Sequence, residues 1–483
     1  MKNLSPAPIW KYFEEICQVP RPSKHEERII RYLLNFAKEH NLPVRQDKTG
    51  NLLITKPATA GYEKWPTIIL QSHIDMVCEK NSDVVHDFMT DPILPYIDGE
   101  WIKAKGTTLG ADDGIGIAAQ LAILAADNVA HGPLECLFTV DEETGLTGAF
   151  GLEEGFLTGK LLINLDSEDE GEIFIGCAGG IDTIGYLNAE FEATPSNSFA
   201  FTVSVSGLKG GHSGDDIHRG LGNANKILNR YLWMATREFG FRLSHIHGGN
   251  LRNAIAREAT ATGVVPYSKK EDVRVLVNCL IADLQDELGA TEPDLKIQLE
   301  STSLPEKVFT QTLHNQLINT LYALPHGVIA MNKEIAGLVE TSTNLASIKI
   351  NGEKIVITTS QRSSVESAKT DIASMVESVL LLGGATVEHS DGYPGWAPDT
   401  SSKILKLATD SYVKLFNTQP SVKAIHAGLE CGLFLKKYPG LDMISIGPTI
   451  KGAHSPDERL HIGSVQKFWD HLTDILAKAG NNE

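Results

Sequence analysis

Cysteine is scarce in this chain: six in 483 residues, at Cys17, Cys78, Cys136, Cys177, Cys279 and Cys431, with no Cys-x-x-Cys pair. That spacing excludes a structural zinc site made of paired thiolates, and a chain this large needs no disulfide staples. Buried free thiols are expected, since several cysteines lie in apolar runs such as 134–140. Long apolar runs are lacking as well. No stretch is long enough to cross a bilayer and Met1 to Pro8 carries no apolar signal core, so a cytoplasmic location without a membrane partner is expected. Positive charge is in deficit, with 43 Lys+Arg against 61 Asp+Glu and a net charge of −18. Such a chain repels nucleic acid, and no nucleic-acid partner is expected. Short repeats, heptads and low-complexity tracts are missing too. What is present, 42% hydrophobic and 22% charged residues, is an ordinary globular composition sufficient for two or three domains.

Residues 1–196 alternate helix and strand patterns. Helices are expected near 8–17 and 25–40, and the short apolar runs 66–72, 134–140 and 161–165 read as strands buried on both faces. Each run ends in histidine or acidic residues. In an open α/β sheet, ligands collect beyond the carboxyl ends of the strands, so these polar ends should share one rim. The cluster Thr194-Pro195-Ser196-Asn197-Ser198 reads as a linker. Beyond it, helical patterns at 221–239, 310–324 and 367–381 and strand patterns at 199–206, 345–350 and 354–360 segregate in an α+β manner. The segment 391–398, rich in glycine and proline, marks a return to the first domain, completed by a helix at 401–416 and a strand at 443–446. The expected fold is α/β: a mostly parallel-sheet domain with helices on both faces (1–196 and 391–483), interrupted by an inserted α+β domain (197–390).

Five segments carry chemistry. His73-Ile74-Asp75 closes the first apolar run, and alternation points both polar side chains the same way; imidazole ligates zinc and a neighbouring carboxylate orients it, although a hydrogen-bonded structural histidine is the better explanation of this segment taken alone. Asp112-Asp113, flanked by small residues, stands at a helix start, where an N-cap is sufficient explanation but a carboxylate bridging two cations also fits. Asp141-Glu142-Glu143 follows the second run as either a solvated acidic turn or a metal ligand beside a general base. Asp166 ends the third run, and His454 lies in a loop after the last strand. Jointly they supply two histidines and at least three carboxylates at predicted strand ends, which suits a dinuclear hydrolytic site.

In this order, and with the motifs QSHIDMV, TTLGADDGIG, TVDEETGLTGA, NLDSE, GLKGGHSG, HAGLECG and GAHSPDE, the chain resembles the aminoacylase and carboxypeptidase-type clan of dinuclear zinc peptidases. Within that clan it resembles the carnosinase-like group of aminoacyl-histidine dipeptidases (peptidase D, Xaa-His dipeptidases). The resemblance implies that His73 and Asp166 hold one metal ion, Glu143 and His454 the other, with Asp112 bridging and the Asp112–Asp113 peptide bond cis. Two Zn2+ per subunit are implied, with Co2+ or Mn2+ as possible substitutes. Glu142 would act as general base on a metal-bridging water and Asp75 would orient His73. The inserted domain would be a lid that also makes homodimer contacts, contributing His212 to stabilise an oxyanion and Asn253, Arg362 and Gly428 to hold substrate. The implied activity is hydrolysis of small dipeptides with a free amino terminus, preferring Xaa-His and including β-alanyl-histidine. A tripeptidase, aminoacylase or deacetylase would use the same ligands on another amide, and a noncatalytic metal-dependent binding protein is the alternative from a different class. The inserted segment is longer than the compact lid of most of the clan.

Overall fold

The computed structural model describes Met1 and residues 3–480. These divide into two compact units: unit 1 is 1–176, 396–424 and 429 onward, and unit 2 is 177–395 with 425–428.

Unit 1 is built on an eight-stranded sheet whose middle consists of β1 (Ile68–His73), β2 (Leu134–Thr139), β3 (Leu161–Asn164) and β4 (Asp442–Ser445). Across the sheet the order is Val44–Gln46, Leu52–Lys56, β2, β1, β3, β4, Glu172–Cys177 and Ser421–Ile425. The four middle strands are parallel, whereas Leu52–Lys56 joins β2 antiparallel and Glu172–Cys177 joins β4 antiparallel. Every residue of β1 and β2 is buried, as expected of strands covered on both faces. Register pairs His73 with Thr139 and Gln71 with Asn164, so β1 and β2 end level with one another and β3 ends two residues short of them. The residues that follow them therefore share a rim.

Helix α1 (Ala111–Ala125) packs on β1. Its glycine, alanine, isoleucine and leucine residues are buried all round from Asp113 to Leu124, the composition of a core helix rather than an amphipathic one. Its first turn is irregular: Asp112 and Asp113 have non-helical dihedrals and are joined by a cis peptide bond. Helix α2 (Lys403–Phe416) packs on β4 and is capped by Ser402, whose Oγ accepts from the Leu405 N–H at 3.0 Å. Helix α3 (Glu430–Lys437) follows the excursion at 425–428.

Unit 2 has a nine-stranded sheet in the order Lys296–Ser301, Ser198–Ser206, Ala259–Pro266, Arg242–Gly248, Val339–Asn351, Lys354–Ser363, Gly179–Asn188 and Thr386–His389, with Gly327–Met331 also pairing with Val339–Asn351. All of its pairings are antiparallel. Phe201, Tyr231, Phe241 and Phe309 centre its core. The helix expected from residue 221 begins at Ala224 because Asn223 caps it, accepting from the N–H groups of Asn225 (2.9 Å) and Lys226 (3.3 Å).

The division falls elsewhere than the sequence boundaries at 196/197 and 390/391. Strand Gly179–Asn188 pairs along its full length with Lys354–Ser363 and so belongs to unit 2. The supposed linker at 194–198 is a turn inside that unit, between Phe191–Ala193, which pairs with Lys307–Phe309, and Ser198–Ser206. Residues 391–395 stay with unit 2 because Tyr393 pairs with Gly180. Not every cysteine is buried either: Cys279 is exposed and Cys78 partly so. Among the described residues, no helix is long and apolar enough to cross a membrane.

Candidate active site

The rim of unit 1 brings His73, Asp112, Glu143, Asp166 and His454 together. His73 Nε2 lies 3.0 Å from Asp112 Oδ1 and 3.5 Å from Asp166 Oδ1. His454 Nε2 lies 3.2 Å from Asp112 Oδ2 and 3.1 Å from Glu143 Oε2. One oxygen of Asp112 thus faces each histidine. Possible ligand atoms of His73, Asp112 and Asp166 all lie within 4.8 Å of one another, as do those of Asp112, Glu143 and His454. The loop residue His454 reaches the rim from a backbone with φ of +62°.

Asp75 ties the group together from below. It is fully buried, with Oδ1 3.3 Å from His73 Nδ1. The same Oδ1 accepts from the Glu142 N–H at 3.0 Å, while Oδ2 accepts from the Glu143 N–H at 3.2 Å and from Ser23 Oγ at 2.8 Å. One carboxylate therefore stands beside the imidazole and fixes the backbone that carries the two glutamates. Burial opposes ionisation of Asp75, but hydrogen bonds and charge from His73 outweigh it and hold the carboxyl at about 2.

The remaining electrostatics reflect crowded negative charge. Burial pushes Glu142 well above the usual carboxylate range, with Asp166 nearby adding to the shift. Asp166 is itself raised to about 7, by burial first and then by Asp112. Hydrogen bonds to Asp112 and Glu143 push His454 up to about 11. Buried Glu143 Oε1 has no hydrogen-bond partner. Five oxygen and nitrogen ligands, an orphaned carboxylate oxygen and excess negative charge fit two divalent cations sharing Asp112. A second acidic group, Glu26, Asp75 and Asp141, has a structural explanation: Glu26 Oε1 accepts from the N–H groups of Lys24 (2.8 Å) and Asp141 (3.1 Å).

Three supporting residues were not found from sequence. Glu458 cups the start of α1, with Oε2 accepting from Leu109 N–H (2.6 Å) and Gly110 N–H (2.9 Å), and Oε1 from Ala111 N–H (2.7 Å) and Asp112 N–H (3.3 Å). Arg21, buried, donates to the carbonyls of Ile74 (3.2 Å), Asp75 and Gly110 (2.5 Å). Glu430, fully buried, accepts from Gln71 Nε2 at 2.6 Å and Thr139 Oγ1 at 2.9 Å, beneath the ends of β1 and β2. Glu458 and Glu430 lie in the motifs GAHSPDE and HAGLECG, which is the signal that marks them. Arg21 has no such signal.

Unit 2 groups the other sequence candidates. His212 forms a β-bridge with Ala254, and Ser213 N–H donates to the Asn253 carbonyl at 2.8 Å. His212 Nδ1 accepts from the Asp215 N–H at 3.1 Å, with Asp215 Oδ2 3.2 Å away. Arg362 Nη2 comes within 3.5 Å of His212 Nε2, and Arg362 Nη1 donates to Tyr393 Oη at 3.0 Å. Gly428 lies against the Tyr393 ring. The side chain of Asn253 makes none of these contacts.

Residues 69–478 match peptidase family M20/M25/M40. The chain is 48% identical over 476 residues to the cytosol non-specific dipeptidase of Escherichia coli (strain K12), covering 99% of this chain and 98% of the relative. It is similar to the crystal structure of aminoacylhistidine dipeptidase from Vibrio alginolyticus, with a TM-score of 0.93, 47% identity and coverage of 98% and 97%. Aminopeptidase PepT from Bacillus cereus shares the fold at 17% identity and a TM-score of 0.56, covering 99% of both chains. The chain belongs to peptidase family M20/M25/M40.

Proposed function

We infer that the protein is a cytoplasmic, dinuclear metal-dependent dipeptidase that hydrolyses dipeptides with a free amino terminus and prefers histidine as the carboxyl-terminal residue, β-alanyl-histidine included. The observation that carries the reading is Asp112 shared between His73/Asp166 and Glu143/His454, with Glu142 adjoining. The name of the V. alginolyticus relative, an aminoacylhistidine dipeptidase, supports the histidine preference, and that of the E. coli relative, a cytosol non-specific dipeptidase, supports dipeptide cleavage and the location. Zinc is the proposed metal and a homodimer the proposed assembly.

When bound, the metal ions lower the pKa of water and polarise the scissile carbonyl. Glu142 accepts the proton of the attacking water and passes it to the departing amine. Asp75, at His73 Nδ1, keeps the other ring nitrogen turned toward Asp112 and Asp166. His212 donates to the oxyanion of the tetrahedral intermediate. Asn253 and the backbone at Gly428 hold the substrate chain, and Arg362 takes its terminal carboxylate by paired N–H donors.

The test is turnover by purified protein of β-alanyl-histidine, other Xaa-His and non-histidine dipeptides, a tripeptide and N-acetyl amino acids, before chelation, after it, and after zinc is restored. Dipeptide cleavage should vanish on chelation and return with zinc, fastest on Xaa-His. Equal rates across dipeptides would remove the histidine preference, and faster cleavage of N-acetyl amino acids would overturn the dipeptidase assignment.

A further inference from the structure

Tyr393 sits in a Gly/Pro-rich segment that looks like a simple turn, yet it is fixed from several directions. Its backbone exchanges hydrogen bonds with Gly180, N–H to carbonyl at 2.9 Å and 3.0 Å, and its carbonyl also accepts from buried Lys369 Nζ at 2.6 Å. The ring lies between two glycines. A Cβ at Gly180 would stand 2.7 Å from Cε1, Cζ and Oη, and one at Gly428 would stand 2.7 Å from Cε2. Neither glycine has a positive φ, so close approach of the phenol ring, and not backbone conformation, is what excludes a side chain at both.

The hydroxyl held in this slot accepts from Arg362 Nη1 at 3.0 Å. That bond uses an oxygen lone pair and leaves the phenolic proton to be donated elsewhere. Arg362 is 7% exposed, its Nε has no hydrogen-bond partner, and among the described residues no carboxylate forms an ion pair with it. A buried guanidinium without a counter-ion is costly unless an anion completes it.

We propose that Tyr393 is a second donor to the substrate's terminal carboxylate, its phenolic O–H and the Arg362 guanidinium forming one rigid acid-reading pair. This rests on the reading of Arg362 as the carboxylate-binding residue. A carboxylate can accept from the paired N–H donors of Arg362 and from the phenolic O–H at once, whereas a carboxamide would set its NH2 group against one of these fixed donors. The pair thereby selects peptides whose second residue is the last.

Tyr393→Phe removes the hydroxyl and keeps the ring in its slot. KM for a dipeptide should rise about tenfold with kcat within about twofold, while kcat/KM for the same dipeptide amide stays at the parental value. Inhibition by the free carboxyl-terminal amino acid should weaken by the same factor, and inhibition by its amide should not change. Arg362→Gln should abolish acid-over-amide discrimination. If Tyr393→Phe keeps parental discrimination while Arg362→Gln loses it, the hydroxyl has no such role and the Arg362 reading stands. Loss of acid and amide turnover alike in Tyr393→Phe would make the tyrosine a prop for Arg362, overturning the proposal. If Arg362→Gln itself keeps full discrimination, the carboxylate reading fails and takes the proposal with it.

Discussion

At Glu142 the backbone and the side chain have separate duties. Its N–H is committed to Asp75 Oδ1 at 3.0 Å, and the carboxylate is left for proton transfer. Glu142→Gln keeps the volume and the backbone bond while removing the proton acceptor. It should lower kcat by roughly 10²- to 10⁴-fold with metal content unchanged, measured by steady-state kinetics alongside elemental analysis; near-parental turnover would end the assignment of Glu142 as base. The residues of the rim were readable because acid and histidine after a buried apolar run are expensive without a purpose. Arg21 was not, because its partners are the carbonyls of Ile74, Asp75 and Gly110, and no side-chain pattern announces a residue that binds backbone.

At the scale of elements, the start of α1 depends on a single side chain. Glu458 satisfies four consecutive N–H groups, from Leu109 to Asp112, in a turn where Asp112 and Asp113 depart from helical dihedrals. Gly116 belongs to the same device: a Cβ there would stand 2.3 Å from Asp113 Oδ1, the oxygen that accepts the Gly116 N–H at 3.1 Å. Glu458→Ala would strip the buried amides of their acceptor and loosen the placement of Asp112. We expect a stability loss of roughly 3 kcal/mol or more and metal affinity reduced about 10- to 100-fold, read from denaturant unfolding and from competition with a chelator. Parental metal affinity in a stably folded variant would show that Asp112 is placed by other means. Strands β1 to β4 were legible from their apolar runs. Strand Gly179–Asn188 was not, since its glycines and isolated polar residues conceal it and its partner Lys354–Ser363 lies far along the chain.

For the whole molecule, acid should weaken unit 2 through its buried histidines. In unit 2, burial lowers His314, His326 and His426 to about 4, helped by the charges of Arg242, Lys226 and Arg362 respectively. His314 Nδ1 accepts from the Leu243 N–H at 3.1 Å, and His426 Nε2 lies 2.8 Å from Ser342 Oγ. A histidine whose folded pKa lies below its unfolded value near 6.5 contributes stability that is complete above pH 6.5 and is lost as pH falls toward 4, because the unfolded chain then binds the extra proton. Each such group contributes up to roughly 3 kcal/mol. Urea midpoints of unit 2, followed through Trp233, should be flat above pH 6.5 and fall between 6.5 and 4, and His314→Gln should flatten part of that fall. An unchanged slope in that variant would remove His314 from the account. This was not legible beforehand, because three scattered histidines become alike only through burial by strands and helices distant along the chain.

The short excursion at 425–428 bears on any attempt to take the molecule apart. Unit 2 is not one continuous piece: four residues that come after the return to unit 1 supply the His426 that meets Ser342 and the Gly428 that backs Tyr393. Excising 177–395 as a stand-alone fragment, or grafting it onto another scaffold, would leave Ser342 short of a hydrogen bond and the phenol ring with one bare side. A transplantable version has to carry that tetrapeptide too, by circular permutation or a designed bridge.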